Sequence, residues 1–422
     1  MLECRVSLMT TVHLHLQRKQ FPMKTLALMI VVAASIALAT VDAQEPAKNP
    51  TPASKAEPKA KPKPQWQYDS GDIRIAIPTA DEPKVKEFNA DTVRAAAKYL
   101  DDGAVAWMRE KSCVACHTPG AYMSDRPLLT KQLGKPNEEV LAGFIAGIQD
   151  KPPMTKEKEG ITYYSQAERA VWRAAGLVQW DKHVTGKTSE HTDRALRSML
   201  LQLSSHGGFY MADTVEIPYE TTDLELTQHA ARALFEAPGW LAALTDVDLL
   251  QRIDRLKTFL RELKPRHDYD RALRIGIAAF MPDVVSKEDQ AGDIDMLWRK
   301  QHDDGGWSTR DMSDADNWSA HMSDTVIKLI DGLSDAANPE SDPYMTALAV
   351  CLLRESGTPA SDARLQKAIV WLKREQRESG RWWMHSLYRG NYHFSTYIAT
   401  SKAMHALAMC NEIPELVSSN PY

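Results

Sequence analysis

The sequence predicts an all-α protein built from repeated helical hairpins. Apolar residues recur at helical spacing from residue 167 to residue 410, and no convincing strand pattern interrupts them. An internal repeat supports the same class: Leu297, Gln301, Gly305 and Trp307 return 75 residues later as Leu372, Gln376, Gly380 and Trp382. A single hairpin cannot bury its apolar face alone. We therefore expect the hairpins to curl into a closed double ring of helices.

The helices of this region are separated by turns rich in Gly, Asp, Ser and Pro. The pattern predicts them at residues 167–180, 193–203, 223–235, 246–263, 269–280, 289–300, 324–333, 343–355, 361–378 and 396–410. A weaker copy of the repeat lies at residues 200–209, where Phe209 replaces the tryptophan and one residue is inserted. Each copy ends a helix, turns on glycine and offers an aromatic ring to a neighbouring helix.

The chain begins with an apolar segment that is typical of a signal peptide. Residues 25–40 read TLALMIVVAASIALAT, with Lys24 before them and a small-residue cleavage site after Ala43. We therefore expect residues 1–43 to be a signal peptide, and the mature protein to be exported, periplasmic or otherwise extracytoplasmic. An uncleaved anchor is the alternative. Translation starts at either Met1 or Met23, because residues 1–22 fit poorly as a charged signal region.

Residues 44–65 are rich in Pro, Lys, Ala and Glu, and they predict a disordered linker because such a segment cannot bury apolar area. Beyond it, Ile73, Ile75 and Ile77 alternate with polar residues, which predicts one short edge strand within residues 66–78.

Chain length, hydrophobic content and net charge limit the possible classes of function. A chain of 422 residues with 43% hydrophobic content can bury a large core. Its net charge of −5 gives no electrostatic reason to bind nucleic acid or an anionic membrane. After cleavage of the signal peptide, no stable membrane span is expected.

The motif that carries chemistry is Cys113-Val114-Ala115-Cys116-His117. Two thiols three residues apart, followed at once by histidine, are typical of covalent haem attachment: each sulfur adds to one vinyl group and the imidazole binds the iron. The alternatives are a structural disulfide, half of a zinc site and a thioredoxin-like redox pair. The zinc interpretation lacks a second Cys/His pair at ligand spacing, and the redox interpretation lacks a surrounding βαβ pattern. The sequence therefore predicts one covalent haem c.

Residues 66–160 form the predicted haem-binding segment. Helical spacing covers residues 91–111, with a break expected near residues 101–103, and again covers residues 138–148. His117 is the expected proximal iron ligand. For the sixth ligand we favour Met154, which follows a proline pair in a loop and would raise the reduction potential. His183, His191, Met281 and a vacant position are the alternatives.

The repeats resemble a known family. Residues 301–307 (QHDDGGW) and 376–382 (QRESGRW) are similar to the Gln-Trp motifs of squalene-hopene cyclases and prenyltransferase-like α/α toroids, and the similarity runs from about Ala195 to the C-terminus. Residues 104–129 resemble the Cys-x-x-Cys-His segment that precedes such toroids in exported bacterial proteins labelled squalene cyclase-like. The resemblance implies an (α/α)6 toroid over residues 161–422, preceded by the short helical haem-binding segment.

The resemblance does not carry the cyclase chemistry with it. Class II cyclases protonate an alkene with the middle acid of an Asp-x-Asp-Asp-Thr-Ala stretch, whose counterpart here is residues 342–347 (DPYMTA). Tyr344 and Met345 stand where the two later aspartates should be, and a phenol is far too weak an acid for this step. A prenyltransferase-like zinc site on Cys351 is conceivable, but a buried hydrophobic role is more typical. Cys351 and Cys410 could pair or remain two thiols.

Three functions follow from these patterns. The leading one is an exported haem c protein that exchanges electrons with a redox partner protein, with the toroid as scaffold. The second is a haem-dependent enzyme or sensor acting on an apolar, isoprenoid-like ligand in the toroid cavity. The third is a lipid- or protein-binding module with a structural haem. Whether the protein is an enzyme stays open, because function resides in the site and not in the fold.

Overall fold

A computed structural model describes residues 66–114, 116–158, 160–210, 223–319, 322–388 and 393–416. The predicted signal peptide and linker, residues 1–65, lie outside the described residues.

The described part of the chain is mostly helical, as the sequence predicts. Its α-helices are α1 (Ala90–Lys111), α2 (Ala121–Asp125), α3 (Thr130–Leu133), α4 (Glu138–Ala146), α5 (Ala167–Trp180), α6 (Glu190–Leu200), α7 (Asp223–Glu236), α8 (Trp240–Ala243), α9 (Val247–Glu262), α10 (Asp268–Phe280), α11 (Lys287–Arg299), α12 (Asp324–Asp331), α13 (Pro343–Glu355), α14 (Ala363–Glu375) and α15 (Phe394–Met409). Among these described helices, none is long and apolar enough to cross a bilayer.

Local capping explains why the helix limits follow the sequence so closely. Helix α13 begins at the predicted residue because Asp342 accepts a hydrogen bond from the Met345 N–H and Pro343 occupies the first helical position. Helix α5 also has its predicted limits. The expected break near residues 101–103 is wrong, because α1 runs continuously through Gly103. A Cβ atom at Gly103 would lie 2.6 Å from Tyr397 Cε2, so the glycine serves close packing and not a turn.

Six helices pack in a closed cycle. Along it, α2 contacts α5, α5 contacts α7, α7 contacts α10, α10 contacts α13, α13 contacts α15, and α15 returns to α2. A second layer lies outside them, in which α6 packs on α5, α11 on α10, α14 on α13 and α1 on α15. The short helix α2, from the segment that carries the Cys-x-x-Cys-His motif, therefore completes the cycle.

The two strong copies of the sequence repeat make the same hydrogen bonds. In both strong copies the glutamine side chain donates to the glycine carbonyl, from Gln301 to Gly305 at 2.9 Å and from Gln376 to Gly380 at 3.1 Å. The indole N–H then donates 2.7 Å to the carbonyl of the preceding helix, Trp307 to Leu297 and Trp382 to Leu372.

The weaker copy keeps a further contact that all three share. The backbone N–H of the aromatic residue donates to a threonine hydroxyl on a helix of the cycle, from Phe209 to Thr227, from Trp307 to Thr346 and from Trp382 to Thr400. The repeat thus fastens the end of an outer-layer connection to an inner helix. This role explains why both tryptophans are fully buried.

Two antiparallel hairpins complete the described fold. The first pairs β1 (Trp66–Ser70) with β2 (Ile73–Ala76), which confirms a strand within residues 66–78. The second pairs β3 (Thr155–Lys158) with β4 (Ile161–Tyr164). The sequence analysis missed the second hairpin because β3 reads TKEK and carries no apolar alternation.

Two glycine positions test how tightly the repeat turn is packed. Gly380 has φ +85° and a Cβ atom there would lie 2.4 Å from the Ala96 backbone nitrogen, whereas Gly357 has φ +96° and open space around it. Gly380→Ala should lower the free energy of unfolding by about 3 kcal/mol, because strain and overlap add. Gly357→Ala, which introduces strain only, should lower it by about 1 kcal/mol. Urea denaturation of both variants measures the difference; equal losses would contradict this account of the turn.

Candidate functional site

The Cys-x-x-Cys-His motif occupies the elbow between α1 and α2. Helix α1 stops because Ser112 adopts a left-handed conformation with φ 47°, and its N–H donates to the Met108 carbonyl at 2.9 Å. Cys113 follows and is half-buried. A π-helical turn, Cys116–Gly120, then leads directly into α2. The backbone therefore presents the motif at one bend, held between an outer helix and a helix of the cycle.

His117 is buried against one aromatic ring from the adjoining helix α1 and one from the distant helix α15. Only 8% of the surface of this residue is exposed. The imidazole lies 4.3 Å from the Phe394 ring and 4.7 Å from the Trp107 ring, measured between ring centroids. Next to it, the hydroxyls of Tyr68 and Thr118 share a 2.8 Å hydrogen bond. We refer to Tyr68, Trp107 and Phe394 as the aromatic wall.

The electrostatics of this pocket favour a neutral imidazole. Burial lowers the pKa of His117 to about 3, because the charged form loses its hydration. The ring is therefore neutral throughout the physiological range. Neutral imidazole is the form that binds a metal. A half-buried thiol, a neutral imidazole and an aromatic wall are a set of groups that fits haem c.

A cleft of about 360 Å³ opens beside Ser112, next to Cys113. Gly143 and Gly147 line it, and a Cβ atom at either one would overlap a side chain already packed there, from Met108 and Arg173 respectively. Arg173 donates to the Phe144 carbonyl at 2.9 Å. Burial lowers the pKa of Arg173 to about 10, so its guanidinium stays cationic at neutral pH. The elbow thus has a cationic rim on this side.

The candidates for a sixth ligand are dispersed. Met154 is 87% exposed, in the loop between α4 and β3. His191 is exposed on α6, and Met281 is buried where α10 ends. Burial lowers the pKa of His183 to about 4. The rings that the structure places against His117 are those of Trp107 and Phe394. The choice of Met154 as the sixth ligand stays a prediction.

A second candidate site is the central cavity enclosed by the helix cycle. Its volume is about 100 Å³, and all six helices of the cycle contribute lining residues. Small-molecule sites are usually about 300–1,000 Å³ in volume. The cavity among the described residues is therefore too small for an isoprenoid chain.

Ion pairs, and not apolar side chains alone, line this cavity. Asp125 accepts hydrogen bonds from Ser401 at 2.9 Å, Lys402 at 2.8 Å and His405 at 2.6 Å. Burial alone would raise the pKa of Asp125, but the Lys402 ammonium and His405 hold it well below its usual range. On the other side, the Arg232 guanidinium binds the Glu355 carboxylate through two hydrogen bonds of 2.7 and 2.6 Å.

Tyr344 and Met345, at the positions that the sequence resemblance aligns with the cyclase acids, have structural roles. Tyr344 shares a 2.9 Å hydrogen bond with the Tyr269 hydroxyl, which also donates to Glu225 at 2.7 Å. Met345 is fully buried. Burial raises the pKa of the Tyr344 phenol well above its ordinary value, so this residue is an even weaker acid than free tyrosine. The geometry agrees with the sequence in offering no cyclase acid at this position.

Cys351 and Cys410 are separate buried thiols. Burial raises the pKa of both, so both stay protonated at neutral pH. Among the described residues, no group of three or more His, Cys, Asp or Glu side chains is arranged to hold a metal ion. A prenyltransferase-like zinc site on Cys351 therefore finds no support in this part of the chain.

Comparisons with known proteins place these sites in context. No protein-family model matches the chain, and no curated protein matches it. Among solved structures, the chain is similar to the type II terpene cyclase MstE from Scytonema, with 14% identity, coverage of 76% of this chain and 98% of that chain, and a TM-score of 0.42. It is also similar to a wild-type glycosidase, with 10% identity, coverage of 78% and 88%, and a TM-score of 0.40. At these scores the similarities assign no function.

The Asp125 cluster makes a pH-dependent contribution to stability. Asp125→Asn should lower the free energy of unfolding at pH 7 by about 3 kcal/mol, because it leaves the Lys402 charge buried without its partner. The pKa of Asp125 is depressed by folding, so its contribution is present above the ordinary aspartate pKa of about 4 and is lost as the pH falls below it. The gap between wild type and variant should therefore shrink on acidification.

Urea denaturation at neutral and acidic pH tests this prediction. Asp254→Asn, at an exposed position of α9, is the matched control and should change stability little at either pH. A wild-type advantage over Asp125→Asn that persists unchanged at acidic pH would contradict the assignment of Asp125 as the charged partner.

Proposed function

We propose that this protein is an exported c-type haem protein that transfers electrons, with the haem bonded to Cys113 and Cys116 and the iron bound by His117. The observation that carries the proposal is the attachment motif at the elbow, with a buried neutral imidazole as its last residue. The apolar segment at residues 25–40 supports export, and haem c is attached outside the cytoplasm.

The scaffold in this proposal is an (α/α)6 toroid. Its support is the closed cycle of six helices with an outer layer, together with the Gln-Trp repeat that fastens the layers. The toroid is non-catalytic in the cyclase sense, because Tyr344 and Met345 replace the acids. A ring of this kind would hold the elbow rigidly, which suits a site that must keep one geometry in two oxidation states.

The residues around the motif have distinct tasks. Cys113 and Cys116 would form the thioethers, and His117 would supply the proximal nitrogen. A bound haem supplies a one-electron couple, whose potential depends on its ligands and on its burial. The aromatic wall orients the His117 ring and excludes water, and a low local dielectric of this kind favours the less charged oxidation state. The half-buried Cys113 lies at the more exposed end of the elbow, from which a redox partner could exchange electrons.

The size of the central cavity favours electron transfer over the apolar-ligand hypothesis. Its walls are largely apolar, but a volume of about 100 Å³ is too small for an isoprenoid chain. A scaffold role for the ring follows.

Covalent attachment is the direct test. The chain should be produced in a host with a cytochrome c maturation system, and haem staining should be carried out after denaturing electrophoresis. Wild type should retain stain, and Cys113→Ala/Cys116→Ala should lose it. The matched control is Cys351→Ala/Cys410→Ala, which removes two buried thiols elsewhere and should keep it. Stain that survives in the motif variant, or no stain in wild type, would overturn the proposal.

The sixth ligand gives a separate prediction. Met154→Leu should lower the reduction potential of the haem protein and remove the methionine-to-iron charge-transfer band, because a thioether ligand raises the potential. Met123→Leu, at a buried residue of α2, is the control and should keep the band. An unchanged spectrum and potential in Met154→Leu would exclude Met154 as the ligand.

A further inference from the structure

A polar cleft of about 480 Å³ shares no lining residue with the Cys-x-x-Cys-His motif or with the central cavity. It is bordered by the first residues of α10, the end of α11, the segment 310–317 and the loop that follows α12. Its volume is in the range of small-molecule sites. None of the roles described above uses it.

His267 places an unpartnered donor in the wall of this cleft. Its side chain is 1% exposed, and its Nδ1 accepts the Asp270 backbone N–H at 3.2 Å, which caps α10. Burial lowers the pKa of His267, outweighing the nearby Asp270 carboxylate, so the ring is neutral. Because Nδ1 is an acceptor, the proton resides on Nε2. The Trp318 backbone carbonyl lies near the ring and raises its pKa, but among the described residues the buried Nε2–H makes no hydrogen bond of normal length and angle.

Arg310 adds a second donor from another wall. Its Nη2 nitrogen pairs with Asp335, whereas its Nη1 nitrogen is buried and has no partner among the described residues. Behind His267, the fully buried Trp318 ring lies 5.0 Å away and its indole N–H is likewise without an acceptor. Buried donors without acceptors are uncommon in native proteins, and each needs a physical explanation.

The carboxylates in the cleft do not compete for these donors. Asp268 pairs with Lys300 at 3.0 Å and with Arg271 at 3.0 Å, and Asp311 pairs with His302 at 2.6 Å. Asp314 and Asp331 are exposed. The unsatisfied hydrogen-bonding capacity of the interior is therefore made of donors, one of them cationic.

These features define the chemistry of a ligand. A planar anion with two acceptor oxygens matches a guanidinium and a neighbouring N–H. The exposed Asp314 and Asp331 disfavour a multiply charged anion. The apolar side chains of Met312, Ile330 and Pro339 also border the cleft and would contact a short hydrocarbon portion. We propose that this cleft binds a small aliphatic monocarboxylate, with its carboxylate at His267 and Arg310.

Calorimetric titration of the exported, haem-loaded protein with sodium butyrate tests the proposal, with butyramide as the uncharged probe. Wild type should bind butyrate, and butyramide should bind at least tenfold more weakly because it lacks the charge that Arg310 recognises. Saturable butyrate binding lost in Arg310→Gln supports the site. No butyrate binding to wild type, or equal binding of butyrate and butyramide, would overturn it.

Two further variants keep the test interpretable. Asp335→Asn breaks the same ion pair as Arg310→Gln but keeps the guanidinium, so it should bind butyrate at least as tightly as wild type. His267→Asn preserves an effective N-cap while removing the Nε2–H, and it should weaken binding about tenfold. If Asp335→Asn weakens butyrate binding as much as Arg310→Gln does, the loss comes from breaking the ion pair and disturbing the loop. That result would contradict a carboxylate site.

Discussion

The buried carboxylate of Asp125 ties α2 to α15, through hydrogen bonds from Ser401, Lys402 and His405. This contact reinforces the closure of the helix cycle at α2, the shortest of its six members, which also buries Ala121, Tyr122 and Met123. A buried ion pair is a weak source of net stability, but breaking one side is costly because the other charge stays buried. The position of α2 therefore depends on these polar contacts together with apolar packing. The Cys-x-x-Cys-His motif lies immediately before α2, so the same contacts fix the elbow.

This arrangement shows how the Cys-x-x-Cys-His motif and the helical ring belong to one structural unit. His117 is covered by Trp107 from α1 and by Phe394 from α15, which pack on each other at 5.1 Å between ring centroids. The pocket therefore combines a helix of the outer layer with one of the cycle. The surroundings of His117 therefore depend on the packing of α15, which lies far from the motif along the chain.

Local patterns predicted the helices well, because apolar periodicity and helix capping depend only on residues that are close together in the sequence. The limits of α5 and α13 follow from apolar spacing and from the Asp342-Pro343 cap. Gly103 misled the prediction because its role is a long-range contact with Tyr397 that local sequence cannot reveal. The β3–β4 hairpin was missed because its first strand is polar and exposed.

The Cys-x-x-Cys-His motif is visible in the sequence, but the residues that pack around it in three dimensions are not. Phe394 lies 277 positions from His117, and no local signal links the two. The ion pairs at the central cavity were equally hidden, since Asp125, Arg232 and Glu355 come from three separate helices. Only the closure of the ring turns these residues inward and pairs them. The central cavity therefore combines largely apolar walls with two buried ion-pair clusters.

Intact-mass analysis of the protein recovered from the periplasm of a host with cytochrome c maturation tests the central claim most directly. The account predicts a single species that begins at Gln44 and exceeds the polypeptide mass by one haem, with that excess retained under denaturing conditions. A mature chain whose mass equals the polypeptide alone would contradict it.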